Sequence, residues 1–108
     1  MPNYLFVYYG GMSEAPPPTP AQQKKTMDVW MGWFGKLGKT VVEIGAPTKP
    51  GKTVSKAGAR ATGKDGVAGY SIVKANSLGQ AVNMAKSHPD IAQGMKIAVY
   101  EIMPIRNP

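Results

Sequence analysis

The stretch YLFVYY at residues 4–9 decides the fold, because its six side chains are all apolar or aromatic and no polar residue alternates with them. A strand that packs on one side and faces water on the other shows such alternation. The stretch IAVY at residues 97–100 has the same character. We therefore expect strands with apolar side chains on both faces, while the chain's two predicted helices cover only one face.

A second copy of the chain is the simplest cover for the remaining face. Burial of apolar surface stabilises association by roughly 25 cal/mol per Å², before the costs of ordering are subtracted. The sequence thus predicts a homodimer, in which any pocket lies between the sheet and the helices or between the subunits.

The composition limits the function classes. With 108 residues, of which 43% are hydrophobic and 18% charged, the chain is expected to form one domain over residues 1–108. The absence of cysteine excludes disulfides, a thiolate nucleophile and a Cys-ligated metal. One histidine and acids without ligand spacing argue against a metal site, and no motif indicates an organic cofactor. Since the chain has neither a span of ~20 apolar residues nor a signal peptide, we expect a cytoplasmic protein without a membrane partner.

The net charge of +7 raises the question of nucleic-acid binding. Five of the thirteen basic residues lie in one Gly-rich stretch: Lys49, Lys52, Lys56, Arg60 and Lys64. They are neither interleaved with stacking aromatics nor placed along one helix face, as they are in most nucleic-acid-binding segments. The pattern favours a solvated basic hairpin over attraction of a polyanion.

Gly and Pro residues mark the boundaries between the predicted elements. We expect strands at 3–9, 41–44, 70–75 and 95–103, a Pro-rich loop at 10–18, and a Gly/Lys-rich hairpin insertion at 48–68. The second strand is expected to end at Gly45.

Two helices are predicted from capping signals and apolar spacing. Thr19 is the N-cap of the first, with Pro20 at its first position and Gln22 completing a capping box, and Gly38 is its expected stop. Its apolar stripe is Met27, Trp30, Met31, Phe34 and Leu37, widened by Trp33. The second helix begins after Ser77, has Gln80 in a second capping box, ends at His88-Pro89, and is expected to bury Leu78, Ala81, Val82 and Ala85.

The resulting βαββαβ order predicts an α+β, ferredoxin-like antiparallel sheet with both helices on one face. Its other face is bare, which is the physical basis of the dimer prediction.

Several segments together resemble the YCII-related proteins, specifically their DGPF-type branch. They are WMGWF at residues 30–34, VVEIGAP at 41–47, GYSIVKA at 69–75, AKSHP at 85–89 and EIMP at 101–104. The resemblance covers nearly the whole chain and implies a dimeric α+β barrel, in which two such sheets pack face to face. It also implies an acid-base pair of a first-helix His and an Asp in an Asp-Pro step, positions that here fall at or near Trp30 and on His88.

His88 is the one side chain whose ordinary pKa lies near neutrality. At the end of the second helix it is a candidate general acid or base, with Asp90 as the group that orients it. The alternative is structural, with the imidazole bonded to the free carbonyls at the helix C-terminus.

An aromatic pocket is the second candidate feature. Tyr8, Trp30, Trp33, Tyr70 and Ser71 are the predicted ligand-binding residues, and the alternative is that they are core. Glu101, an acid within an apolar strand, is either an inward acid-base group or an edge ion pair. The leading hypothesis is therefore a homodimeric protein that binds or transforms a small aromatic or anionic metabolite without a cofactor. The alternative is a non-catalytic accessory or interaction protein.

Overall fold

The centre of the fold is a four-stranded sheet, seen in a computed structural model that describes residues 1–10, 19–63 and 66–104. The strands of the chain are β1 (Asn3–Tyr9), β2 (Val41–Pro47), β3 (Lys52–Ser55), β4 (Gly58–Ala61), β5 (Val67–Lys74) and β6 (Lys96–Glu101). The main sheet has the order β2-β5-β1-β6 with antiparallel pairs throughout, and β3 and β4 form a separate two-stranded ribbon. Most of the predicted Pro-rich loop at 10–18 and the end of the tail lie outside the described residues.

Two α-helices and two short 3-10 helices are the other elements of the described residues. The α-helices are α1 (Pro20–Leu37) and α2 (Leu78–Lys86), and the 3-10 helices are Gly38–Thr40 and Pro89–Gln93. The first capping box is confirmed in both directions, since Thr19 Oγ1 accepts from the Gln22 N–H and Gln22 Oε1 accepts from the Thr19 N–H. Gly38 ends α1 at a positive φ of 59°, as predicted.

Both helices pack on the same face of the sheet. One cluster contains Tyr4, Phe6 and Tyr8 of β1 together with Trp33 and Phe34 of α1, and it extends to Val73, Ala75, Ala81 and Ala85. Because alternate residues of a strand point to opposite faces, the even-numbered side chains of β1 meet the helices and the odd-numbered ones do not. The molecule is therefore α+β, with one face of its antiparallel sheet covered.

The bare face of the sheet is apolar. Directly paired residues place Leu5 between Ile72 and Tyr100, and Val7 between Tyr70 and Ala98. Leu5, Val7 and Ile72 are half-buried by their neighbours, whereas Tyr100 is 54% exposed. No described element of the chain covers these side chains. The expectation of an uncovered apolar face is therefore met.

The second strand is longer than predicted because Gly45 does not end it. Gly45 has a φ of 77° inside β2, where the register against β5 shifts. A Cβ at this position would lie 1.9 Å from the carbonyl oxygen of Tyr70. The glycine thus makes a bulge that allows close backbone approach, a role that Gly commonly has within strands.

The buried side chains of both helices also differ from the prediction. Leu78 is 52% exposed, because the sheet-facing side of the short α2 is filled by Ala81 and Ala85. Met27 and Met31 are 57% and 47% exposed, and Trp33 is buried in their place. The face of α1 that packs on the sheet is therefore rotated toward Trp33, and the methionines lie beside the contact.

The predicted hairpin is a ribbon that stands away from the main sheet. All eight residues of β3 and β4 are exposed, on both sides of the ribbon. Its base is held by the Thr62 N–H, which donates to the Gly51 carbonyl, and by the Thr48 N–H, which donates to the Ala68 carbonyl. Lys64 and Asp65 of the insertion lie outside the described residues.

Candidate functional site

A cavity of about 700 Å³ lies between α1 and the β2-β5 edge of the sheet. This is within the range of roughly 300–1,000 Å³ typical of small-molecule sites. Its wall is mainly apolar, with Met27, Trp30, Met31 and Phe34 from α1 and Ile44 from β2. The polar residues on its lining are Tyr8, Gln23, Thr26, Tyr70, Ser71, Asp90 and Gln93, of which Tyr70 has its side chain on the opposite face of the sheet.

The deepest polar contact of the cavity is a chain of two hydroxyl groups. Tyr8 Oη donates to Ser71 Oγ at 2.8 Å, and Ser71 Oγ donates to the carbonyl of Ile44 at 2.6 Å. These residues come from β1, β5 and β2, so the sheet itself fixes the geometry. Burial raises the pKa of Tyr8 to about 12, only partly offset by the hydrogen bond with Ser71. The phenol therefore stays protonated at neutral pH.

A second contact joins α1 to the segment that follows α2. Trp30 Nε1 donates to Asp90 Oδ2 at 3.2 Å. The Trp30 ring also meets Tyr8 in an edge arrangement with centroids 4.6 Å apart. Aromatic pairs favour such edge-to-face geometry. Trp30 and Asp90 thus close one end of the cavity.

His88 is buried in aromatic surroundings and does not line the cavity. Its ring centroid lies 4.2 Å from that of Trp30 and 4.6 Å from that of Trp33, and it is 2% exposed. His88 Nδ1 accepts a hydrogen bond from the backbone N–H of Asp90 at 3.0 Å, so the side chain caps the 3-10 helix Pro89–Gln93. The expected bond to the carbonyls of α2 is not formed, since the ring accepts a hydrogen bond where that role requires a donor.

The surroundings of His88 favour its neutral form. Burial lowers the pKa of His88 below its ordinary 6.5, and the Asp90 carboxylate opposes that effect. Because Nδ1 accepts a hydrogen bond, the proton of the neutral ring is on Nε2. Nε2 is buried without a hydrogen-bond partner among the described residues. His88 therefore has a packing and capping position, in contact with the cavity lining through the rings of Trp30 and Tyr8 and through the backbone of Asp90.

The structure brings most of the predicted site residues together. Tyr8, Trp30, Tyr70, Ser71 and Asp90 line the cavity. Trp33 is instead core, with its Nε1 donating to Ser87 Oγ at 2.8 Å. The Tyr70 side chain points to the bare face of the sheet, opposite to that of its neighbour Ser71, and its hydroxyl lies 3.5 Å from Glu43 Oε1. His88 was expected to face the same cavity, but it is not among the residues that line it.

Sequence reasoning missed several lining residues. Met27 and Met31 were assigned to the core because they share the apolar stripe of α1 with Phe34. One sequence signal for the cavity was present. The polar residues Gln23 and Thr26 lie on the same side of α1 as the methionines, one turn earlier, and also line the cavity. An apolar stripe that runs into polar residues is typical of a helix side facing a cavity mouth.

Glu101 has neither of its two expected roles, which were an inward acid-base group and a member of an edge ion pair. It is exposed in β6, and its Oε1 accepts a hydrogen bond from the hydroxyl of Tyr4 at 3.1 Å. Burial first, and then this hydrogen bond and the charge of Glu101, raise the pKa of Tyr4. Glu101 thus holds a tyrosine of the core at the opposite sheet edge from the cavity.

Comparison with known proteins gives no family model that matches the chain and no match among curated proteins. Within residues 1–10, 19–63 and 66–104, no three His, Asp or Glu side chains are grouped closely enough to hold a metal ion. Over the same part of the chain, no helix is both long enough and apolar enough to cross a bilayer.

Proposed function

We propose that this protein binds a small molecule with an aromatic body in the cavity beneath α1. The observation that carries the proposal is the cavity itself, which is about 700 Å³ in volume and walled by Trp30, Met27, Met31 and Phe34. A mostly apolar wall with a few fixed polar groups is the usual composition of a small-molecule site. Flexible methionines beside rigid aromatics fit the faces of planar ligands.

Binding has more support than acid-base catalysis. His88, the one candidate base with an ordinary pKa near neutrality, is enclosed by Trp30 and Trp33, and its Nδ1 is occupied by the Asp90 N–H. A general base requires hydrogen-bond reach to the proton that it removes. We assign His88 and Asp90 to positioning the wall that Trp30 forms.

An aromatic ligand has more support than an anionic one. None of the described residues that line the cavity is a lysine or an arginine, although the chain carries thirteen of them. Four of the described basic residues lie instead in the exposed ribbon and its connections: Lys49, Lys52, Lys56 and Arg60.

Binding is tested by NMR titration with indole, which is neutral and planar. We expect saturable shifts of the amides of Gly45, Ala46 and Gly69, which line the cavity. Residues of β3 and β4 serve as the internal control and should not shift. A Met31→Trp variant, which fills the cavity from α1, should weaken the binding. Absence of saturable shifts at millimolar indole would favour the non-catalytic interaction protein as the better description.

Homodimer formation through the bare sheet face is the second part of the proposal. It is supported by the uncovered side chains of Leu5, Val7, Ile72 and Tyr100. The order β6-β1-β5-β2 supports a ferredoxin-like arrangement, because it places the first and third main strands at the centre. A dimeric α+β barrel and a relationship to the YCII-related proteins stay part of the proposal on this basis.

A further inference from the structure

The hydrogen-bond donors of the inner cavity wall are already used within the protein. Tyr8 has one hydroxyl proton and donates it to Ser71, and Ser71 donates its own to the Ile44 carbonyl. A hydroxyl group has one proton and two lone pairs. Towards a ligand, the Tyr8 oxygen therefore offers only lone pairs.

The donors at the end of the cavity formed by Trp30 and Asp90 are also used within the protein. The Trp30 N–H donates to Asp90 Oδ2, and the Asp90 backbone N–H donates to His88 Nδ1. The carboxylate has further lone pairs beyond the one that this bond uses, and it has no proton to give. The inner polar side chains of the wall are thus acceptors, and the side-chain donors that remain on this face are those of Gln23, Thr26 and Gln93, all of them exposed.

The charge of the cavity wall also favours a ligand that donates hydrogen bonds. Asp90 is the one charged side chain among the described lining residues, although the whole chain has a net charge of +7. Beside it stand the rings of Trp30 and Tyr8, 4.6 Å apart. The faces of Trp and Tyr rings attract cations through their quadrupoles, most strongly when water is excluded.

We infer that the ligand of this cavity carries a protonated amine on its aromatic body, and that Asp90 and the lone pairs of Tyr8 receive the ammonium group. The inference rests on the proposed binding function and specifies its ligand class. An ammonium group brings up to three donors and one positive charge, which complements a wall of acceptors and one carboxylate. An anion would meet acceptors and a like charge, and a neutral aromatic would leave the Asp90 carboxylate without a counter-charge.

The test compares three probes of nearly equal size by isothermal titration calorimetry: 2-phenylethylamine, 2-phenylethanol and phenylacetate. We expect the amine to bind about tenfold more tightly than the alcohol at pH 7, the size of difference that one ammonium contact with a carboxylate and an aromatic face provides. Phenylacetate should bind most weakly of the three.

Three variants locate the effect. Asp90→Asn keeps an oxygen that accepts from Trp30 and removes the charge, so the amine should lose most of its advantage over the alcohol. Asp28→Asn is the matched control, because Asp28 is an exposed acid of α1 that does not line the cavity. Met31→Trp should weaken the amine and the alcohol together. Urea unfolding of each variant checks that the fold is retained.

The outcomes separate the two proposals. Saturable binding of all three probes with equal affinity, or tightest binding of phenylacetate, would overturn the amine preference and leave the cavity as a binding site. An amine preference that persists in Asp90→Asn would overturn the role of Asp90. Failure of every probe to bind at millimolar concentration would overturn both the ligand class and the binding function.

Discussion

Trp30 Nε1 and Asp90 Oδ2 lie 3.2 Å apart and join parts of the chain that are 60 positions distant. This contact fixes the middle of α1 to the 3-10 helix Pro89–Gln93 beside the cavity. Since the N–H of Asp90 also donates to His88 Nδ1, the three side chains hold one another in place. The cavity end is therefore rigid where the proposed ligand contacts it.

We expect the free energy of unfolding to fall as pH is lowered below 6.5, because of His88. Burial lowers its pKa in the folded protein, so the unfolded chain binds the proton more readily. The His88 contribution is fully present above the unfolded pKa and is lost as pH falls from 6.5 towards the folded pKa. The slope for one proton is at most about 1.4 kcal/mol per pH unit.

Urea unfolding between pH 8 and pH 5 measures this dependence and stays above the range where carboxylates titrate. The matched variant is His88→Asn, whose side-chain oxygen retains an acceptor for the Asp90 N–H. It should have a flatter profile than the wild type over that interval. A wild-type profile as flat as that of the variant would mean that His88 is protonated equally in both states.

The hydroxyl chain in the cavity should show strong coupling. Tyr8→Phe removes one buried hydrogen bond and is expected to cost about 1 kcal/mol. Ser71→Ala leaves the Tyr8 hydroxyl without its acceptor and should cost about 1–3 kcal/mol. The double variant should cost at least about 0.5 kcal/mol less than the sum of the two. Additive costs in a urea double-mutant cycle would show that the two hydroxyl groups act independently.

Gly45→Ala should destabilise the protein by about 2 kcal/mol or more, because a methyl group would meet the Tyr70 carbonyl at a positive φ. Gly35→Ala provides the same chemical change in α1, where nothing lies within 4 Å of the added Cβ. That control should stabilise the protein by about 0.5–1 kcal/mol. Thermal unfolding of both variants measures the contrast, and similar effects at the two positions would contradict the bulge assignment.

The β3-β4 ribbon should exchange its amide hydrogens faster than β5. All its residues are exposed, and two-stranded hairpins have marginal stability on their own. Hydrogen exchange read by NMR compares Thr53, which lies in a hydrogen-bonded pair with Arg60 in the ribbon, with Val73, which is buried in the core. Equal protection at the two amides would mean that the ribbon is packed in solution, most simply against a second subunit.

The bare sheet face should hold two subunits together. Sedimentation at micromolar concentration should give twice the chain mass of 11.5 kDa. Val7→Lys puts a charge at the centre of that face and should give monomers, because an unpaired charge is costly to bury. Val54→Lys, at a side chain that is 78% exposed in the ribbon, should leave the dimer intact. A monomeric wild type would remove the dimer from the proposed function.

Local chemistry made much of the fold predictable. The capping residues Thr19 and Gln22, the stop at Gly38 and the N-cap Ser77 act through neighbours within a few positions, so the sequence contains the whole interaction. The succession of strands and helices along the chain was predictable from the boundaries of the elements. The bulge at Gly45 did not, because its cause is the Tyr70 carbonyl of a neighbouring strand.

The site was predictable in its members and less so in their orientation. Tyr8, Trp30, Ser71 and Asp90 were named because of their chemistry, and the sheet, α1 and the 3-10 helix Pro89–Gln93 bring them together. Which side of α1 packs on the sheet depends on volumes contributed by β1 and α2, so Trp33 and Met31 exchanged their expected positions. His88 acts as a cap for the 3-10 helix that follows it, and no capping rule based on Ser, Thr, Asp or Asn reveals that.

The central position of β1 has a consequence for biosynthesis. Tyr4 is paired with Val73 on one side and with Glu101 on the other, so β1 is synthesised before both of its partners, which come from the second half of the chain. At 5–20 residues per second, translation reaches β6 roughly 5–20 s after β1. Until β5 has been made, YLFVYY is an apolar strand without a partner, the kind of segment that aggregates or recruits chaperones. The nascent chain, more than the finished protein, is the form most in need of protection.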